Sequence, residues 1–388
     1  HDVYFRNVRA SKLPNQGLSI FTVMSALAAK HDAINLSQGF PEFNPPEELV
    51  QKVNESLLNG KNQYSPMSGQ QSLREVIAER QNSWGRSFTV NPDTDITIVP
   101  GATAGLFATF QALVNRGEEV ILFDPSYDSY APSIILAGGI PVRIPLNQDF
   151  SMPWELLKSR INNQTKMIVV NTPHNPLGLV FSREDWNMMA SLVQNTDILV
   201  LSDEVYEHMV FDDKNHVSVL QIPELANQAI AISSFGKTFH ATGWKLGYVT
   251  SNASLSAEIR KVYQFLAFAA NTPMQFAAAE FLLQNPDYEK SVSQIMQAKR
   301  NYFANGLSHS RFKLLPCEGA YFQIVDYSEI SDQLDLDFAQ WLTIEHKVAG
   351  IPVSAFYEFP DSNQRLLRFC FAKNDTTLQK SLDILCRL

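Results

Sequence analysis

Asp197-Ile198-Leu199-Val200-Leu201-Ser202-Asp203-Glu204-Val205-Tyr206 is an apolar run that ends on a carboxylate. Apolar residues in unbroken succession suit a strand covered on both faces, which is the habit of parallel sheets. Upstream, residues 182–194 read as a helix, with Ser182 followed by Glu184 and Asp185 as a start signal, and before them residues 166–170 form another apolar run. The same alternation extends in both directions. Further strands are expected at 96–99, 119–123, 141–145, 229–233 and 246–250, with helices at 104–114 and 154–160 between them. The expected fold is α/β, a three-layer sandwich with a mostly parallel central sheet. In such sheets ligands sit beyond the carboxyl ends of the strands, which is where Asp203 falls.

The remaining chain asks for a second, smaller unit. A length of 388 residues exceeds one ordinary core. After residue 255 long helical runs take over, 254–284 with a break at Thr272-Pro273 and then 287–308. Residues 311–388 read as an α+β unit, with strands at 312–315, 320–325, near 351–354 and at 365–371, and helices at 336–348 and 376–388. The N-terminal segment has too little apolar surface to fold alone and is its natural partner. The expected division is a large domain over 41–289 and a small domain made of 1–40 and 290–388.

Composition narrows the function classes. The hydrophobic fraction of 45% and charged fraction of 18% are globular values, and no uncharged apolar stretch is long enough to span a bilayer. A formal charge of −9 without a Lys/Arg block argues against nucleic acid or an anionic membrane as partner. Cys317, Cys370 and Cys386 have no C-x-x-C spacing, so neither a disulfide framework nor a zinc site is indicated and a cytoplasmic location fits best. The start at His1 fits a trimmed or recombinant terminus rather than a targeting peptide.

Several strand ends carry residues with chemistry. In Ser233-Ser234-Phe235-Gly236-Lys237-Thr238, followed by Lys245, the Lys237 amine can form a Schiff base with an aldehyde cofactor, and Ser234 and Lys245 are placed to hold a phosphate. Asp203 can keep a pyridine nitrogen protonated and Tyr206 can bond a ring oxygen; a helix-capping aspartate and a core tyrosine are the plainer alternative. Asn171-Thr172-Pro173-His174-Asn175-Pro176-Leu177-Gly178 makes a tight turn in which the Asn175 amide can donate and His174 is a turn residue rather than a metal ligand. Pro100-Gly101-Ala102-Thr103-Ala104-Gly105 opens a helix and offers backbone N–H groups to a phosphate, though it matches neither the dinucleotide nor the Walker pattern. Tyr127, in Asp124-Pro125-Ser126-Tyr127, is either a ring-stacking aromatic or a packed loop residue. Arg368, inside an apolar strand, needs either a substrate carboxylate or a structural ion pair.

In order along the chain, Gly39 in Gln38-Gly39-Phe40-Pro41, Tyr64, Gly101-Ala102, Tyr127, Asn175, Asp203, Tyr206, Ser234, Lys237, Lys245 and Arg368 resemble the fold-type I pyridoxal-phosphate aminotransferases of class I/II across essentially the whole chain. The phrasing around Lys237 and Gln-Gly-Phe-Pro looks most like the branch holding methionine aminotransferases and kynurenine–oxoglutarate transaminases. The resemblance implies pyridoxal 5'-phosphate as cofactor, Lys237 as its covalent anchor and proton carrier, Asp203 on the pyridine nitrogen, and Tyr206 and Asn175 on the ring oxygen. It implies that Gly101, Ala102, Thr103, Ser234, Lys245 and a neighbouring subunit's Tyr64 hold the phosphate, that Tyr127 stacks on the ring, and that Arg368, Asn175 and Gly39 bind the substrate α-carboxylate. A homodimer with shared sites follows from the same likeness. Two departures stand out: lysine at 245 where many relatives have arginine, which loses the bidentate fork, and Leu177 where threonine is common.

By the same resemblance, Phe40, Tyr64, Phe107 and Phe268, with Ile20 near the mouth, line the side-chain pocket, an apolar set without a second arginine. It suits methionine, glutamine or aromatic amino acids as donors to a 2-oxo acid. A β-lyase on the same scaffold and a cofactor-binding regulator are the competing readings; a nicotinamide oxidoreductase lacks its glycine fingerprint.

Overall fold

The computed structural model describes residues 9–388. Its strands are β1 (Ile34–Asn35), β2 (Ile96–Val99), β3 (Glu119–Asp124), β4 (Ile140–Pro145), β5 (Thr165–Asn171), β6 (Leu199–Asp203), β7 (Ala229–Ser234), β8 (Gly247–Ser251), β9 (Lys313–Leu314), β10 (Phe322–Asp326), β11 (Val348–Ala349), β12 (Ile351–Pro352) and β13 (Leu366–Cys370). Seven of them form one sheet in the order β2-β8-β7-β6-β5-β3-β4.

Both faces of that sheet are buried. Val120, Leu122, Met167, Val169, Leu199, Leu201, Ile230 and Ile232 join one apolar core. Ile121, Phe123, Ile168, Val170, Val200 and Ala231, the alternate positions, join another with Trp186 of the helix Arg183–Val193. That period of two across unbroken apolar runs is what a three-layer sandwich requires. At about 1.5–3 kcal/mol for each fully buried large aliphatic side chain, these strands dominate the folding drive. The helix start read at Ser182 is a capping box: its hydroxyl accepts from the Asp185 N–H while Asp185 accepts from the Ser182 N–H.

β3 to β7 are parallel, whereas β8 runs antiparallel to both β7 and β2. The connection from β7 to β8 carries one α-helical turn, Phe235–Thr238, and one 3-10 turn, Thr242–Trp244, too short to cross a sheet face, so the chain folds back beside itself. This turn holds Lys237. From β3 the chain passes to β4 on one side, whereas from the adjacent β5 it passes to β6 on the other, so the winding direction reverses between these two neighbouring strands. The crevice this opens at the carboxyl ends is the usual ligand seat.

The C-terminal part forms an antiparallel sheet, β12-β13-β10-β9, flanked by helices Tyr288–Leu307, Asp335–His346 and Asp375–Leu385. β1 pairs with β11, the Cys370 N–H donates to the Leu36 carbonyl and the Glu42 N–H to that of Ala372, so the segment from 34 to 42 is stitched onto this unit. The long helical run breaks where Thr272-Pro273 suggests, into Ala253–Leu266 and Thr272–Gln284, with Pro273 in the first turn of the second helix. The strand expected near 351–354 is shorter, passing into a 3-10 turn at Val353–Phe356. Helices Ile20–Lys30, Glu47–Leu58, Gln71–Ser83 and Tyr130–Leu136 lie outside the sequence expectations.

Candidate active site

Register brings the strand ends together. Val99 and Ser234 both pair with Gly247, and Asp203 pairs with Asn171 on one side and Ile232 on the other. Above this row lies a cavity of about 660 Å³, lined among others by Gly39, Gly101, Tyr127, Asn175, Asp203, Tyr206, Ser234, Lys237, Lys245 and Arg368. Residues from six connections and from both the seven-stranded and the four-stranded sheet therefore meet in one volume.

One end of the cavity is a cradle. Gly101 has φ +91° and precedes the helix Ala102–Leu113, so the first N–H groups of that helix are free of intrahelical partners. A Cβ on Gly101 would lie 2.7 Å from the Lys245 Nζ, and one on Gly247 would lie 2.6 Å from the Ser233 carbonyl oxygen. Only glycine admits this approach. Ser234 caps the turn that carries Lys237, its Oγ accepting from the Lys237 N–H at 3.3 Å.

The middle of the cavity holds the titrating groups. Lys237 Nζ donates to the Gly39 carbonyl at 3.3 Å and to the Tyr321 hydroxyl at 3.2 Å, and Tyr321 itself donates to that carbonyl at 2.6 Å. Burial lowers the Lys237 ammonium to about 8, and the charges of Arg368 and Lys245 act in the same direction. Asp203, at 4% exposure, accepts from the Tyr130 hydroxyl at 2.5 Å and from the Val205 N–H at 3.3 Å. Burial still raises its carboxyl to about 6. Tyr206 is buried edge-on against Tyr321, and burial raises its phenol. Burial likewise lifts Tyr127 to about 12, with the Thr103 hydroxyl beside it.

The far wall comes from the smaller sheet. Arg368 sits in β13 between Ile324 of β10 and Ile351 of β12 and is 1% exposed. Its Nη1 donates to Asn175 Oδ1 at 2.9 Å and its Nη2 to the Ser37 carbonyl at 2.8 Å, its guanidinium lies 3.9 Å over the Phe322 ring, and its Nε has no partner. Among the described residues no carboxylate lies within 4.0 Å of it, so the ion-pair alternative fails. Because arginine only donates, Asn175 must turn Oδ1 toward it, which leaves Nδ2 to donate elsewhere.

A profile of the family described as aminotransferase class I and II matches residues 31–385. The chain belongs to the class I and II aminotransferases. It is 47% identical to the methionine aminotransferase of Escherichia coli over 97% of this chain and 98% of that one. It is 33% identical to kynurenine–oxoglutarate transaminase 1 of Rattus norvegicus, with 96% of each chain covered. A crystal structure from Escherichia coli, described as having a methionine aminotransferase function, superposes with a TM-score of 0.95 at 46% identity, covering 98% of this chain and 100% of that one. As an aminotransferase, the chain moves amino groups between amino acids and 2-oxo acids.

Of the expected side-chain pocket, Phe40 alone lines the cavity. Ala102, Thr103 and Leu106 present one face of their helix to it, and Phe107, a residue further round, is half-buried outside it. Ile20 also lies outside the lining; its neighbours Phe21 and Thr22, on the helix Ile20–Lys30, form the wall instead. Tyr64 is 85% exposed and packs edge-on against Phe268, and neither lines the cavity of this chain. His174 is a turn residue as expected: its Nδ1 accepts from the Leu177 N–H, and burial lowers its imidazole to about 4. Tyr130 and Tyr321 escaped the sequence reading. Tyr130 sits in the stretch that offered Tyr127, three residues on; Tyr321 had only the nearby Glu318-Gly319 turn to mark it.

Proposed function

We propose that this aminotransferase uses pyridoxal 5'-phosphate to exchange amino groups between 2-oxo acids and L-amino acids with an apolar, aromatic, thioether or amide side chain, methionine, glutamine, phenylalanine, tyrosine and kynurenine among them. Arg368 carries the reading. It is a buried cation without an acidic partner, on a different sheet from the Gly101–Lys245 cradle, and Lys237 lies within electrostatic reach of both. A buried unpaired charge calls for an anion.

The donor set fits the cofactor. Helix-start N–H groups at Ala102 and Thr103, the Ser234 hydroxyl and the Lys245 ammonium suit a phosphate, whereas the Gly101 N–H already donates to the Val99 carbonyl at 2.8 Å, so Gly101 serves by its bare Cα. When bound, the cofactor supplies an aldehyde carbon that takes up the amino group and a pyridine ring that draws electrons from the substrate α-carbon. Lys237 Nζ, uncharged above about pH 8, would hold that aldehyde and would afterwards be placed to move the proton of the substrate α-carbon. The Asp203 carboxylate keeps a proton at the ring nitrogen. Tyr206 and the Asn175 Nδ2 donate to the ring oxygen, Tyr127 stacks on the ring, and Arg368 with Gly39 binds the α-carboxylate. Phe21, Phe40, Phe322 and Leu106 give the side chain apolar walls, and the lining has no basic residue beyond Lys237, Lys245 and Arg368 for a second carboxylate. The likeness to the methionine aminotransferase of Escherichia coli and the kynurenine–oxoglutarate transaminase of Rattus norvegicus supports methionine and kynurenine among these donors.

We further propose a cytosolic homodimer in which Tyr64 of the partner subunit completes each phosphate site, with a large domain over 41–289 and a small one over 1–40 and 290–388. Mixing the holoenzyme with single amino acids and following the absorbance of the lysine-bound cofactor tests the donor set. Methionine, glutamine and the aromatic amino acids should convert the cofactor at least about tenfold faster than aspartate or glutamate. A preference for aspartate, or release of pyruvate and ammonia from cysteine conjugates in place of conversion by these amino acids, overturns it.

A further inference from the structure

Asp203 is enclosed by strands on both sides and has no cationic side chain within ion-pair distance among the described residues. Its carboxylate accepts two hydrogen bonds, the longer from the Val205 N–H and the shorter, 2.5 Å, from a hydroxyl 73 positions earlier in the chain. That hydroxyl belongs to Tyr130, which is 2% exposed at the start of the helix Tyr130–Leu136. The ring of Tyr130 lines a second cavity of about 510 Å³, whose walls include Phe123, Phe150, Trp154 and Phe181. Asn171 borders both cavities, donating through Nδ2 to the Asp203 carbonyl, so Tyr130 and Asn171 form the partition between them.

We propose that Tyr130 is a positioning residue for the reaction: its hydroxyl fixes the Asp203 carboxylate in its ionised form and in one orientation, and its ring seals that carboxylate from the second cavity. The inference rests on the role given to Asp203 above, but its main test does not need the cofactor. The groups facing this pair are few. Lys237 favours the carboxylate, Glu204 next in sequence disfavours it, and Tyr127 and Tyr206 are phenols held neutral by burial. With Tyr130 silenced, the Val205 N–H at 3.3 Å is the one direct hydrogen bond left, and burial acts almost unopposed. A hydrogen bond to an ionised acceptor is of a size that moves a carboxyl by about one to two pH units.

Tyr130→Phe keeps the ring and the seal and removes the donor alone. In the full chain freed of cofactor, the infrared carboxyl band assigned to Asp203 by its loss in Asp203→Asn should titrate about one to two pH units higher in Tyr130→Phe than in the wild type. Site-specific 3-fluorotyrosine at position 130, a more acidic donor, should move the same midpoint downward, a reversal that a merely structural residue would not produce. In the holoenzyme, Tyr130→Phe should lower kcat while leaving KM for the amino acid unchanged, because Arg368 is untouched. An unmoved infrared midpoint, or shifts of the same sign in both variants, overturns the proposal. Loss of kcat in Asp203→Asn without any effect of Tyr130→Phe would leave the cofactor reading standing and remove Tyr130 from it.

Discussion

Replacing Arg368 by methionine removes the charge while keeping an unbranched apolar stem over the Phe322 ring, where the guanidinium now lies at 3.9 Å. Removing one partner of a buried, hydrogen-bonded charge pair costs about 3–5 kcal/mol. At about 1.36 kcal/mol per tenfold, that is a fall of roughly two to nearly four orders of magnitude in kcat/KM. The α-carboxylate is not the reacting centre, so ground state and transition state lose the contact alike and the loss should appear in KM with kcat little changed. Stability should move far less. The variant orphans Asn175 Oδ1 and the Ser37 carbonyl, at about 1–3 kcal/mol each, but it also removes a buried guanidinium that has no counter-ion and an unpartnered Nε. Steady-state kinetics on methionine and on its decarboxylated amine, in wild type and variant, separate the two causes. The amine should be processed equally by both enzymes, since it has no carboxylate to bind. Equal losses on the acid and the amine would show that Arg368 merely shapes the site, and an unchanged KM for methionine would remove the clamp altogether.

Two further outcomes follow from the cavity. Reattachment of cofactor to the cofactor-free chain needs a neutral Lys237; an amine lowered to about 8 loses its proton as pH rises through that value, so the rate should climb about tenfold per pH unit below 8 and level off above it. A rate still climbing toward the ordinary lysine value of 10.5 would show that burial does not tune this residue. Gly101→Val places a Cβ 2.7 Å from the Lys245 Nζ at a φ of +91°, where a β-branched residue is strained. Cofactor affinity, read by fluorescence quenching, should fall by at least about a hundredfold, the equivalent of roughly 3 kcal/mol. Retention of wild-type affinity would show that the cradle does not hold the phosphate.

How legible these features were depended on how local their causes are. The inner strands of the large sheet could be read because both of their faces are buried, so Ile198 to Leu201 and Met167 to Val170 stay apolar without a break, whereas the edge strand β4 is half-buried. The reversal of β8 was not legible as a direction. It depends on the connector 235–246 containing no more than one α-helical and one 3-10 turn, and its spacing resembles that of a longer link. Helix Glu47–Leu58 had a start signal in Pro46-Glu47-Glu48, but its apolar stripe of Leu49 and Val53 is narrow because the rest of that surface stays exposed.

The site divides in the same way. Asp203 and Ser234 close their strands, so the sheet register sets their neighbours, and Asn175 and Lys237 lie within one turn of the ends of β5 and β7. Arg368 was visible as a charge in an apolar strand, yet the choice between ion pair and ligand lay in what surrounds it in space, and only the fold shows that Asn175, Ser37 and Phe322 leave the guanidinium uncompensated. Tyr130 and Tyr321 mark the limit of the sequence. A buried tyrosine on a helix or beside a strand is ordinary core until the acceptor of its hydroxyl is known. Here those acceptors are Asp203, 73 residues away, and the Gly39 carbonyl, 282 residues away. Both hydroxyls act on the two groups whose protonation sets the chemistry, Tyr130 on the carboxylate and Tyr321 on the amine. The cavity is therefore better understood as a phenol-bound carboxylate and a burial-tuned amine set between two anion seats than as a lysine with accessories, and both groups are held by hydroxyls that no motif around Lys237 contains.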